Sequence, residues 1–140
     1  MNKDIYLYLA GSLTYLYNNN KFDLATEWRN KISEWAEDNN IKIFNPAKNF
    51  LNEKSCGYSG KLAVDQNNFF LDKTTIMIVS LEYLDYSPGT IYEMVSYKKM
   101  GKPVIVFGEK EHWSPHINSC VSQNCKNIED VIEVLTNMFL

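Results

Sequence analysis

The stretch Ser87-Pro88-Gly89-Thr90-Ile91-Tyr92-Glu93 puts a carboxylate about a turn and a half into a helix whose start it also encodes. Ser87 suits a helix cap, and Pro88 suits the first helical position, where its missing N–H costs nothing. A helix N-terminus carries partial positive charge, which favours an ionised carboxylate at Glu93. A carboxylate with exposed amides nearby can be a nucleophile toward an electrophilic sugar carbon. Gly89 lets a ligand approach the backbone closely, and free amides at this turn suit an anion. Ser87 either caps the helix or hydrogen-bonds a hydroxyl or phosphate. The same seven residues also read as an ordinary strand-to-helix turn, in which Glu93 only complements the dipole.

The elements that would position this heptad alternate along the chain. A β-rich run from Asp4 ends at Gly11, and a helix starts near Asp23, which is a plausible N-cap. Ala25, Trp28, Ile32, Trp35 and Ala36 recur at helical spacing and predict a core-facing stripe. Ile41 to Phe44 reads as a short strand stopped by Asn45-Pro46. Residues 47 to 60, with two glycines and two serines, read as a long loop that could cover a site. A helix is expected from about Lys61 to Asp72, then a buried strand over Thr75 to Leu81, then a loop and the heptad helix, ended by Gly101. Pro103 to Gly108 is another buried strand. Residues 109 to 126 read as irregular, with a short strand near Cys120–Val121, and Asn127 caps a last amphipathic helix.

Alternating strands and helices predict an α/β fold with a parallel sheet. Four to five strands in a single domain over 1–140 suggest a flavodoxin-like, doubly wound sheet flanked by helices. Such sheets bind ligands beyond the carboxyl ends of their strands, at the switch in strand order. That rule brings the Gly11–Ser12 loop to the heptad.

Composition narrows the function. The net charge of −3, with 22% charged residues, argues against binding polymeric nucleic acid, which needs a basic stripe. No apolar run approaches membrane-spanning length, and the N-terminus does not read as a signal peptide. Cys56, Cys120 and Cys125 match no zinc spacing and read as free thiols of a reducing cytoplasm. His112 and His116 are interrupted by Pro115 and no HExxH is present, so no metal site is expected; no cofactor is expected either.

Two blocks carry a resemblance. "YLYLAGS" with "TEWRNKISEWAEDNNIKIFNP", and "TIMIVSLEYLDYSPGTIYEMVSYKKMGKPVIVF", resemble the nucleoside 2-deoxyribosyltransferase family over residues 5 to 107. The motifs are a Tyr-x-x-Gly strand end and a Gly-x-x-x-Glu helix entry after an apolar strand. The resemblance implies cleavage of the N-glycosidic bond between a base and a 2-deoxyribose through a glycosyl-enzyme intermediate. It implies that Glu93 is the nucleophile, that Tyr8 orients its carboxylate, and that Gly11 lies beside the sugar. Gly11, Ser12, Ser87, Gly89 and Thr90 become candidate substrate-binding residues. The implied partner is a small nucleoside or nucleotide, and the implied assembly is a homodimer or higher homo-oligomer whose neighbouring chains complete the site.

The chain departs from the transferase pattern at two places. Ser87 stands where transferases have aspartate, whereas the related 2-deoxynucleoside 5′-monophosphate N-hydrolases have serine there and a Gly-Ser pair like Gly11–Ser12. That branch uses these serines on the 5′-phosphate. Its following arginine is missing, since Leu13 and Thr14 stand there, so basic help would come from elsewhere, such as Lys61 or a neighbouring subunit. Asn67 stands where the family carries an aspartate that assists proton transfer to the leaving base. Asn67 cannot supply a titrating proton. Asp65 takes that role if the helix register differs by two residues, and Asp72 is also near in sequence. Trp28 and Trp35 are expected in the core, Arg29 in a structural or interfacial role, and Tyr15, Tyr17 and Tyr58 in loops near the mouth. The rival readings are a monophosphate hydrolase using water, a phosphoribohydrolase of the cytokinin-activating type, and a non-catalytic nucleotide-binding or sensing module.

Overall fold

The computed structural model describes residues 4–109 and 114–140. His112, weighed above with His116, lies outside them. Three strands are apolar almost without interruption: β1 (Tyr6–Ala10), β3 (Ile76–Ser80) and β4 (Val104–Phe107). Because successive side chains point to opposite faces, such strands present apolar groups to both, and both must be covered. Two shorter, partly exposed strands, β2 (Lys42–Phe44) and β5 (Gln123–Cys125), form the edges. The sheet order is β2-β1-β3-β4-β5, and every pair is parallel. This is the flavodoxin-like doubly wound order, with its switch point between β1 and β3.

The two faces divide the chain into two layers. Leu7, Leu9, Ile76, Ile78 and Ile105 pack against α2 (Asp23–Asp38) and α7 (Ile128–Phe139) through Trp28, Ile32, Ala36, Val131 and Leu135. Tyr8, Ala10, Met77, Val79, Val104 and Val106 face α4 (Gly60–Lys73) and α5 (Pro88–Lys99), where Leu71, Met94 and Tyr97 meet them. The odd and even residues of each strand thus build separate cores, each buried Val, Leu, Ile or Met side chain contributing roughly 1.5–3 kcal/mol. No described helix is long and apolar enough to cross a membrane.

Several local expectations need correction. Residues 46 to 56 are not a loop but helix α3 (Pro46–Cys56). The Asn45 side chain accepts from the Ala47 amide, Pro46 opens the helix, and Gly57 closes it in a left-handed conformation at φ 72°. Its apolar pattern is weak because only Pro46 and Ala47 are buried. The caps, not the periodicity, mark this helix. Residues after Gly11 form a short helix, α1 (Thr14–Asn18). Asp23 is the first helical residue rather than the cap, because Phe22 already has helical backbone angles. A 3₁₀ turn (Leu84–Tyr86) precedes α5. Beyond β4 lie α6 (Pro115–Asn118) and β5, so the last strand sits past Cys120–Val121. The Asn127 side chain caps α7 as expected, accepting from the Asp130 amide.

Candidate active site

On α5, Thr90, Glu93, Met94 and Tyr97 are the buried residues. Their spacing is the core-facing stripe of a helix, so Glu93 occupies a position where a hydrophobic residue would ordinarily stand. Its side chain is 9% exposed. The first turn of α5 has no side-chain cap: the Ser87 hydroxyl pairs instead with that of Thr90, at 2.6 Å.

Tyr8 reaches Glu93 from the middle of β1. The Tyr8 hydroxyl donates to Glu93 Oε2, joining residues 85 apart in sequence. The Tyr8 ring is held from two sides, by Phe44 at 5.2 Å and Tyr97 at 6.4 Å between centroids. Burial pushes the Glu93 carboxyl up to about 7, against the Tyr8 hydrogen bond and the Arg29 charge, which both pull it down. Burial and then the Glu93 charge push the Tyr8 hydroxyl far above its ordinary range. Tyr8 therefore stays protonated and remains a donor to the carboxylate.

Glu93 lies in a cleft of about 640 Å³ beyond the carboxyl ends of β1 and β3. Gly11, Ser87, Gly89, Thr90 and Asn67 line it too, so the topology gathers most of the sequence candidates. Gly11 has φ 158°, and a Cβ there would press on Arg29 Nη2 at 3.3 Å and touch Trp28 Cζ2 at 3.4 Å. Ser12 follows it, buried, and its hydroxyl is the buried side-chain polar atom without a hydrogen-bond partner among the described residues. Asp65 is not among the cleft-lining residues. It faces solvent and pairs with Lys61 at 3.2 Å, because residue 67, not residue 65, falls on the cleft side of α4. Asp72 is exposed near the far end of α4. Lys61 is likewise absent from the lining, and Lys54 of α3 is the cation found there.

Other features of the site were not read from sequence. Tyr86, of the 3₁₀ turn, stacks on Tyr15 at 4.5 Å and 13°, and both rings line the cleft. Tyr83 lies beside Tyr15 at 5.1 Å, tilted by 35°. Phe50 and Lys54 enter the cleft because α3 is a helix. Its capping residues were the signal that could have found them. Tyr17 packs on Phe22 and Phe50, and Tyr58 lines a smaller neighbouring pocket. Arg29 is wholly buried and donates to the carbonyls of Leu9, Gly11 and Ala25, so its place is structural rather than at the surface. A second cleft, of about 750 Å³, lies between β5 and α7 and shares no lining residue with the first. Among the described residues no cluster of three or more potential metal ligands occurs, and the three cysteines are free.

Fold and site together define a flavodoxin-like α/β protein with a buried, tyrosine-bound carboxylate in a cleft beyond the carboxyl ends of its strands. Among solved structures, the chain is similar to a 2-deoxyribosyltransferase from the psychrotolerant bacterium Bacillus psychrosaccharolyticus, with a TM-score of 0.68 and 21% identity over 90% of this chain and 89% of that one. At that identity the likeness establishes a shared fold, and it is the fold that the sequence resemblance implies. That protein is described as a biocatalyst for the synthesis of antiviral and antitumoral nucleosides. No family model and no curated protein matches the sequence.

Proposed function

We propose that this chain breaks the N-glycosidic bond of 2-deoxynucleosides or their 5′-monophosphates, with Glu93 as the nucleophile. The observation that carries this reading is the buried Glu93 carboxylate at the base of an open cleft, held by Tyr8 and titrating near neutrality. A group poised near the working pH is ionised often enough to attack. One Glu93 oxygen accepts from Tyr8 and the other has no protein donor among the described residues, which suits attack on the anomeric carbon. In this mechanism the carboxylate oxygen bonds to C1′ while the C1′–N bond breaks and its electron pair leaves with the base. A proton must then reach the base. A second base, or water, next displaces Glu93 from C1′, and two inversions retain configuration. Asn67, on the cleft wall, can hydrogen-bond the leaving base but cannot protonate it, so that proton comes from another donor.

The Ser12 hydroxyl favours the monophosphate as substrate. Ser12 does not itself line the cleft, but its hydroxyl is buried without a partner among the described residues, and its neighbours in sequence, Gly11 and Leu13, do line it. It supports a 5′-phosphate seat together with Ser87, the uncapped start of α5 and the charge of Lys54. In the same reading the chain works as a homo-oligomer whose neighbour covers exposed Val64 and Tyr92 at the cleft rim, which light scattering would test.

The experiment is base release followed by chromatography, with deoxynucleosides and their 5′-monophosphates, with and without a second free base, beside Glu93→Gln. A new nucleoside formed only with added base assigns transfer. Free base from monophosphates alone assigns hydrolysis. Tight binding with no release from any substrate replaces the enzyme with a nucleotide-binding module.

A further inference from the structure

Arg29 and Glu93 are the only charged side chains buried among the described residues. They have opposite sign and come from α2 and α5, which cover opposite faces of the sheet. Arg29 is bonded to the Leu9 and Gly11 carbonyls, while Glu93 is bonded to Tyr8, the residue before Leu9 on β1, and shares a cleft with Gly11. Neither belongs to an ion pair among the described residues. Arg29 Nε and Nη2 donate to the Leu9 carbonyl at 3.3 and 3.2 Å, Nη1 to Ala25 at 2.7 Å, and Nη2 also to Gly11 at 3.4 Å. The guanidinium lies over the Trp28 ring at 4.5 Å. Carbonyls accept hydrogen bonds from all three of its nitrogens but do not neutralise its charge, and an uncompensated buried charge is costly. Glu93 presents the mirror problem: a buried carboxylate with the Tyr8 hydroxyl as its donor.

We propose that Arg29 is a built-in counter-charge for Glu93, pinned behind β1 by backbone carbonyls so that it favours the ionised carboxylate without occupying its oxygens. A direct ion pair would hold the carboxylate ionised but would also engage the oxygen needed in the cleft. Across the strand end the charge acts through space, and Glu93 keeps an oxygen free. Arg29 touches no reacting atom and is a positioning residue in the electrostatic sense. The mutual influence runs both ways, since burial lowers Arg29 while Glu93 and Tyr8 oppose that drop.

The other titratable groups around Glu93 are differently placed. Tyr8 comes from β1, with Tyr97 of α5 behind it, and both hydroxyls are held neutral by burial. Tyr15, Glu53, Lys54, Tyr86 and Tyr92 line the open cleft. Asp85 of the 3₁₀ turn and His116 of α6 are exposed, as are the acids and lysines of α4. Arg29 is therefore the one cation buried behind the carboxylate among the described residues.

The test follows the Glu93 side-chain carboxyl carbon by NMR from about pH 5 to pH 9 in the labelled full chain. Arg29→Lys, which keeps the charge, is expected to titrate close to the unsubstituted protein. Arg29→Gln is expected to titrate about one pH unit or more higher. A folded Arg29→Gln with an unmoved midpoint overturns the proposal. Because that substitution also loosens the end of β1, a second measurement leaves Arg29 in place. Its buried Nε–H resonance is expected to shift with the Glu93 midpoint and to lose that shift in Glu93→Gln, since coupling is reciprocal. An Arg29 resonance indifferent to the Glu93 titration overturns the proposal equally. Neither measurement reads turnover, so failure here is distinguishable from failure of the proposed glycosidic chemistry.

Discussion

The two ends of the sheet are built from similar residues and finished in opposite ways. At the amino end, Lys102 Nζ donates to the carbonyls of Leu71, Asp72 and Thr74 at 2.8, 3.0 and 2.7 Å. It thereby satisfies and neutralises the carboxyl end of α4. There the Tyr97 hydroxyl donates to Thr74 Oγ1 at 2.6 Å, which donates in turn to Phe70 at 2.8 Å. The cluster completes itself. At the carboxyl end, the Ser12 hydroxyl has no partner among the described residues, the first turn of α5 has no side-chain cap, and Glu93 is buried at a cost to its ionised form. A buried polar group left unpaired destabilises the fold. Where one end is fully paired and the other is not, the unpaired end is where a ligand has something to gain by binding.

The largest effect expected from breaking this contrast is at Glu93. Glu93→Gln should reduce base release by about 10³-fold or more, with the circular dichroism unchanged. A substituted protein with normal rates would remove Glu93 from the mechanism. The same change should act on stability in a pH-dependent way. Folding raises the carboxyl from 4.5 to about 7, so the folded chain holds this proton more tightly. The stability it contributes is present below 4.5, is lost as pH rises toward 7, and stays lost above. Glu93→Gln should therefore be nearly neutral at acid pH. It should stabilise above pH 7 by on the order of 1–3 kcal/mol, read from urea unfolding at both pH values. Turnover, which needs the ionised form, should climb with pH and level off beyond about 7. A flat profile across that range would mean that Glu93 ionisation does not limit the rate.

Tyr8→Phe sharpens the contrast from the strand side. It removes a hydrogen bond that favours the carboxylate, so the activity profile should move to higher pH. Near pH 7 the rate should fall about 10- to 100-fold, with partial recovery in alkali. Lys102→Met probes the completed end. It should cost about 1–3 kcal/mol of stability, because three carbonyls lose their donor, yet leave the pH midpoint of activity where it was. A shift in that midpoint would show that the two ends are electrostatically linked.

The smallest structural effect belongs to Ser12→Ala. With no hydrogen bond to lose among the described residues and an unpaired buried hydroxyl removed, the chain should keep its stability or gain about 1 kcal/mol. The kcat/KM for monophosphates should drop while that for nucleosides holds. An equal drop for both would assign Ser12 to the turn rather than to a phosphate.

What was legible in the sequence was local. The apolar runs of β1, β3 and β4, the stripes of α2 and α7, and the Ser87-Pro88 entry to α5 repeat or punctuate within a few residues. Strand and helix periods are properties of neighbours in the chain. Helix α3 went unread because its burial is slight, although Asn45, Pro46 and Gly57 mark both its ends. The shift of β5 to Gln123–Cys125 had no such local mark, since an edge strand of three residues is defined by its partner β4.

The amino-acid sequence by itself determined the alternation of strands and helices, the doubly wound class and the residue types around the heptad. Only the tertiary structure decided which of them meet. It placed Asn67 on the cleft wall and turned Asp65 outward to Lys61. It stacked Tyr86 on Tyr15 and joined Tyr8 to Glu93 across 85 residues. It also set Arg29 and Glu93 on opposite faces of one strand end. Burial and electrostatics sum over everything nearby in space, whatever its distance along the chain, and that sum is what makes Glu93 more than a helix-entry carboxylate.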